Sequence, residues 1–277
     1  NHHGGRVQQR TDWCWAGHCV GQPRVQRELA ALADGCNKQR NGAQIHAQNE
    51  RWHEALEGYL AAISMNPTNY ALYQMAYSLS QEVGDVDGQI ALLERIEENF
   101  NADEDILEGL VFEYYNVGSW ASCARLATAQ AEMTLDPEVA GNLYALAGTA
   151  WFQLDSFELG TLAYKKALDQ ERSPTTLNNY AWDLATNERN LEFALQLTAE
   201  CNASVELEPA FLDTWAWVLY KMGRYAEAQV KIELALQMLE EADRAGTYIH
   251  AAKIEQALGN NEKATVYRMK EALLKQL

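Results

Sequence analysis

Apolar residues recur at three- and four-residue intervals almost everywhere after residue 36, the spacing of one face of an α-helix. The stretch from Trp52 to Ile63 shows the arrangement in full: an aromatic opens it, a small Ala55 stands four residues before Tyr59, and Asn66-Pro67 closes it. The same order then returns at a fixed interval. Trp52, Val86 and Trp120 are each 34 residues apart, Phe157 and Tyr225 hold equivalent places further on, and Gly84, Gly118, Gly223 and Gly259 mark turns ahead of this position. Proline, which would interrupt such helices, occurs only 5 times. The pattern predicts an all-α chain built from a 34-residue helix-turn-helix unit, with about seven units between residues 36 and 277.

A unit of this kind has an apolar face that it cannot bury alone, so stacking must bury it. Small residues such as Ala55, Gly148, Ala181, Ala216 and Ala228 let backbones approach, and Tyr and Trp fill the gaps between units. Glycine at the turn lets the first helix stop in a left-handed conformation. The segments Gly35 to Asn69, Glu138 to Ser173 and Pro209 to Ala242 follow the pattern best; Tyr70 to Asp103, Glu104 to Pro137 and Gly246 to Leu277 diverge more. Pro174 to Glu208 runs slightly long, with its extra residues near either Asn187-Glu188-Arg189-Asn190 or Asn202-Ala203-Ser204.

On these residues, and on Leu177-Asn178-Asn179-Tyr180-Ala181-Trp182 followed by Phe211 to Tyr225, residues 36–277 resemble bacterial tetratricopeptide-repeat proteins. The resemblance implies a right-handed superhelical solenoid that acts as an interaction scaffold or adaptor, either cytoplasmic or on the periplasmic side of the envelope. It also implies that the first helix of each pair lines a concave groove. Helical spacing then assigns partner-binding positions to Phe112, Tyr115 and Asn116, to Phe152, to Asn178 and Trp182, and to Trp217, Tyr220 and Lys221. Some members grip a peptide carboxylate with groove cations, but here the positions hold mostly Gln, Glu and aromatics. Rings with amide neighbours suit an extended peptide or a partner helix. Trp182 and Trp217 serve either this groove or the packing between units; the sequence leaves both open.

Charge narrows the partner. With 22 Lys and Arg against 39 Asp and Glu the net charge is −17, so phosphate-driven nucleic-acid binding is excluded and an anionic lipid surface would repel the chain. No stretch is long and apolar enough to insert into a bilayer. The acidic run from Glu94 to Glu108 reads as a solvated surface. No catalytic or metal-binding motif and no cofactor fingerprint occurs in the repeats, so the expectation is a non-enzymatic protein without cofactor, binding a protein or peptide partner, in an oligomeric state that the sequence leaves open. Cys123 and Cys201 fall where helix pairs take small apolar residues.

Residues 1–35 differ in kind, with four Arg, three acids and a crowding of His, Cys and Gly, and read as an irregular segment with a capping helix over Val25 to Ala33. Gln8 lies six residues before Cys14-Trp15-Ala16, which resembles the oxyanion-hole Gln and nucleophilic Cys of papain-like cysteine peptidases. The His and Asn that such a peptidase needs downstream are absorbed by repeat helices. Cys14, His18 and Cys19, with His2 or His3, have a tolerable metal-ligand mix but lack a second paired half. A competing reading makes the repeats the docking or regulatory part of a larger enzyme whose catalytic domain precedes Asn1.

Overall fold

A computed structural model describes residues 23–204 and 208–275, and among these every regular element is helical. The chain divides into two compact units, one ending at Asn99 and one beginning at Phe100. The first holds two helix pairs: α1 (Pro23–Gln48) with α2 (Trp52–Met65), and α3 (Tyr70–Glu82) with α4 (Val86–Asn99). The second holds five: α5 (Glu104–Asn116) with α6 (Trp120–Met133), α7 (Pro137–Gln153) with α8 (Phe157–Gln170), α9 (Pro174–Thr186) with α10 (Leu191–Ser204), α11 (Pro209–Lys221) with α12 (Tyr225–Met238), and α13 (Ala245–Ala257) with α14 (Asn261–Leu274). Within the second unit the leading helices also lie side by side, α7 on α9, α9 on α11 and α11 on α13.

Local chemistry sets the helix ends. Proline stands at the start of α1, α7, α9 and α11, where its missing N–H costs nothing and its fixed φ suits the first turn. Asp103, Asp136 and Ser173 cap α5, α7 and α9 by accepting from the backbone N–H of Ile106, Glu138 and Thr176. The predicted turn glycines do adopt positive φ, from 70° at Gly84 to 82° at Gly259. Asp155 holds the same place before Phe157 at φ 56°, which costs a residue with a Cβ about 1–2 kcal/mol.

The period also varies where tertiary space allows. Phe157 follows Trp120 by 37 residues because α7 has 17 residues where α5, α9 and α11 have 13, one additional turn of helix. Of the two places offered for the surplus in Pro174 to Glu208, the turn Asn187–Asn190 takes it: Leu191 follows Pro174 by 17 positions where Tyr225 follows Pro209 by 16. Glu188 and Asn190 have positive φ there. Residues 1–22 lie outside the described residues. The capping helix expected over Val25 to Ala33 is the first part of α1 itself, since the shorter α2 can cover only about half of a 26-residue helix. Ala30 to Asp34 are accordingly exposed, and burial begins near Cys36.

The core repeats one device: a small residue on one helix where a neighbouring side chain or backbone passes. Six of the seven second helices bury a small residue at their fourth position, Ala55, Cys123, Gly160, Ala194, Ala228 and Ala264; α4 instead buries Gln89 there, whose amide donates to the Ser80 carbonyl at 3.2 Å. In the first unit a Cβ on Gly58 would stand 2.8 Å from that of Ala43, so α1 and α2 approach almost backbone to backbone. In the second unit a Cβ on Gly148 would meet the Tyr164 ring at 2.7 Å, and one on Gly160 would meet Phe152 at 2.5 Å. The freed space holds Phe152, Tyr164 and Tyr180, the two tyrosines stacked at 4.4 Å. Cys123 and Cys201 are buried as packing residues, and burial pushes their thiols up to about 12 and about 11.

One charge is buried within the last pairs. Glu255 is fully covered and accepts from Gln229 at 2.9 Å, Asn260 at 2.7 Å and Lys263 at 2.6 Å. Burial acts to raise its pKa, but the donors prevail and hold it below the usual carboxylate value.

Gly148→Ala should lower stability by about 1–3 kcal/mol through overpacking against Tyr164. Gly109→Ala, in α5 with nothing within 4 Å of the added methyl, should raise it by about 0.5–1 kcal/mol. Denaturant midpoints of the two variants against the parent check both signs.

Candidate functional site

Three successive leading helices of the second unit bring rings together. Trp182 of α9 faces Trp217 of α11 at 6.0 Å, and His250 of α13 lies 5.4 Å from the first and 4.7 Å from the second. Trp217 stacks on Tyr220 at 5.1 Å, and its indole N–H donates to Thr186 Oγ1 at 3.3 Å. Lys221 and Lys253 sit 5.1 and 4.8 Å from the Trp217 ring, and Lys221 is also paired with Glu188 at 2.9 Å. Trp217 is thus enclosed, with 6% of its surface exposed, whereas Trp182 is half-buried.

Trp182 forms one wall of an open cavity of about 430 Å³, whose other walls include Asn178, Asp213, Thr214, Asp243 and His250. His250 Nδ1 and Asp213 Oδ2 are 2.8 Å apart, and each side chain is 15% exposed. Asp213 Oδ1 is buried and takes no hydrogen bond among the described residues. A second cavity, of about 520 Å³, lies against α6, α7 and α8, with Trp151, Leu159 and Leu162 among its walls. Its Lys166 is engaged by Glu132 at 3.1 Å, and it lacks the carboxylate, amide and imidazole groups of the first.

The sequence-derived positions separate on this geometry. Trp182, Trp217, Tyr220 and Lys221 come together, and Asn178 shares the cavity with Trp182. Phe112 and Asn116 are exposed on α5, Phe112 at 46%, and Tyr115 there packs edge-on against Trp120 at 5.3 Å. Phe152 must be removed from the set. At 2% exposure it lies in the core, because the glycines at 148 and 160 open a space that its ring fills. His250 and Asp243 were not anticipated as site residues. The signal for His250 was its distance of 37 residues from Asp213, close to one repeat, on the next leading helix.

Asp183, next to Trp182, points the other way and is buried. It accepts from the Tyr164 hydroxyl at 2.6 Å, and that hydroxyl also lies 2.6 Å from Thr149 Oγ1. Burial pushes the Asp183 carboxyl up from 3.8 to about 6, against the opposing effect of these hydroxyls. The Tyr164 and Tyr115 hydroxyls are raised as well, by burial first and by the charge of Asp183 second.

The comparisons with known proteins bear on the fold. No family model and no curated protein matches the sequence. A tetratricopeptide repeat protein from Parabacteroides merdae superposes with a TM-score of 0.63 at 16% identity, covering 88% of this chain and 97% of that one. The APC/C hetero-tetramer Cut9-Hcn1 gives 0.55 at 14% identity over 92% of this chain, and yeast Tom70 gives 0.54 at 15% over 91%. The chain spans 50% and 54% of those two. The protein therefore folds as a tetratricopeptide-repeat array, an all-α solenoid of paired helices. Among the described residues no helix is long and apolar enough to cross a membrane. Gln8, Cys14, His18, Cys19, His2 and His3 lie outside the described residues, and nothing in the comparisons supports the peptidase resemblance.

Asp183 is protonated up to about pH 6 when folded and only to about pH 4 when unfolded, so its contribution favours folding below pH 4 and is lost as pH rises through 6. Asp183→Asn should therefore be the more stable protein at pH 8, by up to about 3 kcal/mol. Its advantage should vanish by pH 4. Unfolding free energies of both proteins across this range test the sign.

Proposed function

We propose that this protein is a non-enzymatic interaction scaffold that binds a segment of a protein partner along the leading helices α9, α11 and α13. The observation that carries the reading is the half-buried Trp182 beside an open cavity with amide, hydroxyl, carboxylate and imidazole groups in its walls. A part-exposed indole held in place by stacking offers a large contact area at little cost in side-chain entropy, which is the character of an interface anchor. Asn178 and Thr214 supply donors and acceptors for a peptide backbone. The repeat fold supports the reading by class, since such arrays present extended binding surfaces. Trp217 supports it differently: it is the enclosed ring on which Trp182 rests.

The full chain used as bait in an extract of its source cells should retain a partner that Trp182→Ala loses. An anchor of this size is worth about 2 kcal/mol or more, roughly a thirty-fold loss of affinity. The variant's melting temperature must stay close to that of the parent for the comparison to count. Retention of every partner by the folded variant would place binding elsewhere on the molecule.

A further inference from the structure

We infer that the cavity beside Trp182 accepts the guanidinium of an arginine side chain on the bound partner, a reading that rests on the groove proposed above. The walls contain two carboxylates, Asp213 and Asp243, and no lysine or arginine among the described residues. The two nearby lysines are not among the walls: both lie over Trp217, and Lys221 is tied to Glu188. His250 occupies one oxygen of Asp213 at 2.8 Å and so fixes the orientation of that carboxylate. The other oxygen is buried and accepts nothing among the described residues.

A buried carboxylate oxygen without a donor is unfavourable, so Asp213, at the cavity wall, keeps an unmet demand for a hydrogen-bond donor. An arginine fits the remaining features too. Its planar fork pairs with carboxylates, and the same plane stacks on an indole face such as that of Trp182. The carboxamides of Asn178 and Asn179 stand at the same cavity as further acceptors. The net charge of −17 would draw a basic segment toward the protein before any specific contact forms.

The probe is the peptide Ac-Gly-Arg-Gly-NH2, with its uncharged near-isostere Ac-Gly-citrulline-Gly-NH2 as comparator. Each is titrated into the full chain labelled with nitrogen-15 at its indoles, with the Trp182 signal assigned through its disappearance in Trp182→Phe. The arginine peptide should shift that signal saturably and the citrulline peptide should bind roughly ten-fold more weakly or less well still. Asp213→Asn should weaken the arginine peptide by a similar factor. Asp243→Asn, at an exposed position, should weaken it several-fold and keeps the test decisive if the first variant folds poorly. Equal binding of both peptides would overturn the inference while leaving a peptide groove in place. No shift with either peptide, or an arginine shift indifferent to both aspartate variants, would also overturn it, and the groove itself would then be judged by the extract experiment.

Discussion

Two helices can close on one another only where one of them gives up side-chain volume. In α7 and α8 that concession is made by Gly148 and Gly160, against which Tyr164 and Phe152 lie too close for any Cβ to fit. The rings that occupy the space continue into the next pair, where Tyr180 stacks on Tyr164 and meets Phe193 edge-on at 5.7 Å. Each ring is therefore held by residues from two pairs. A pair removed from its neighbours would lose one side of its core, so the stability of such an array depends on contacts between neighbouring units.

This packing decides which way every other residue faces. Successive positions on a helix are rotated by about 100°, so a helix that directs Tyr180 and Asp183 into the core presents Trp182 toward the next leading helix. Asp183 is carried inward at an electrostatic cost, offset by the Tyr164 hydroxyl and expressed as a carboxyl that ionises only near pH 6. Trp182 is carried outward to rest on Trp217 and His250. The buried polar network and the ring cluster are two faces of the same stretch of α9.

The fold alone says little about what is bound, since one repeat architecture serves many partners. The local features of this chain are an indole on a support of further rings, a His–Asp pair across α11 and α13, and the carboxylates of Asp213 and Asp243 at one cavity. They are the basis on which we propose a ligand with donors and positive charge rather than one ending in a carboxylate.

The helical period, the pairing of helices, the left-handed glycine turns and the burial of Cys123 and Cys201 could all be read from the chain, because they depend on spacing along a single helix or between adjacent ones. The long turn at Asn187–Asn190 was narrowed to two places by counting, and only the helix boundaries chose between them. The fates of Phe152 and Trp217 were decided in three dimensions. Both occupy spacings that suit a groove, but Phe152 drops into space left by glycines on two helices, and Trp217 is enclosed by rings and lysines from its neighbours. The pairing of Asp213 with His250 joins residues 37 apart. Periodicity determines which face of a helix a residue occupies; whether that face is covered depends on the volume of side chains arriving from other helices, which no single-helix pattern contains.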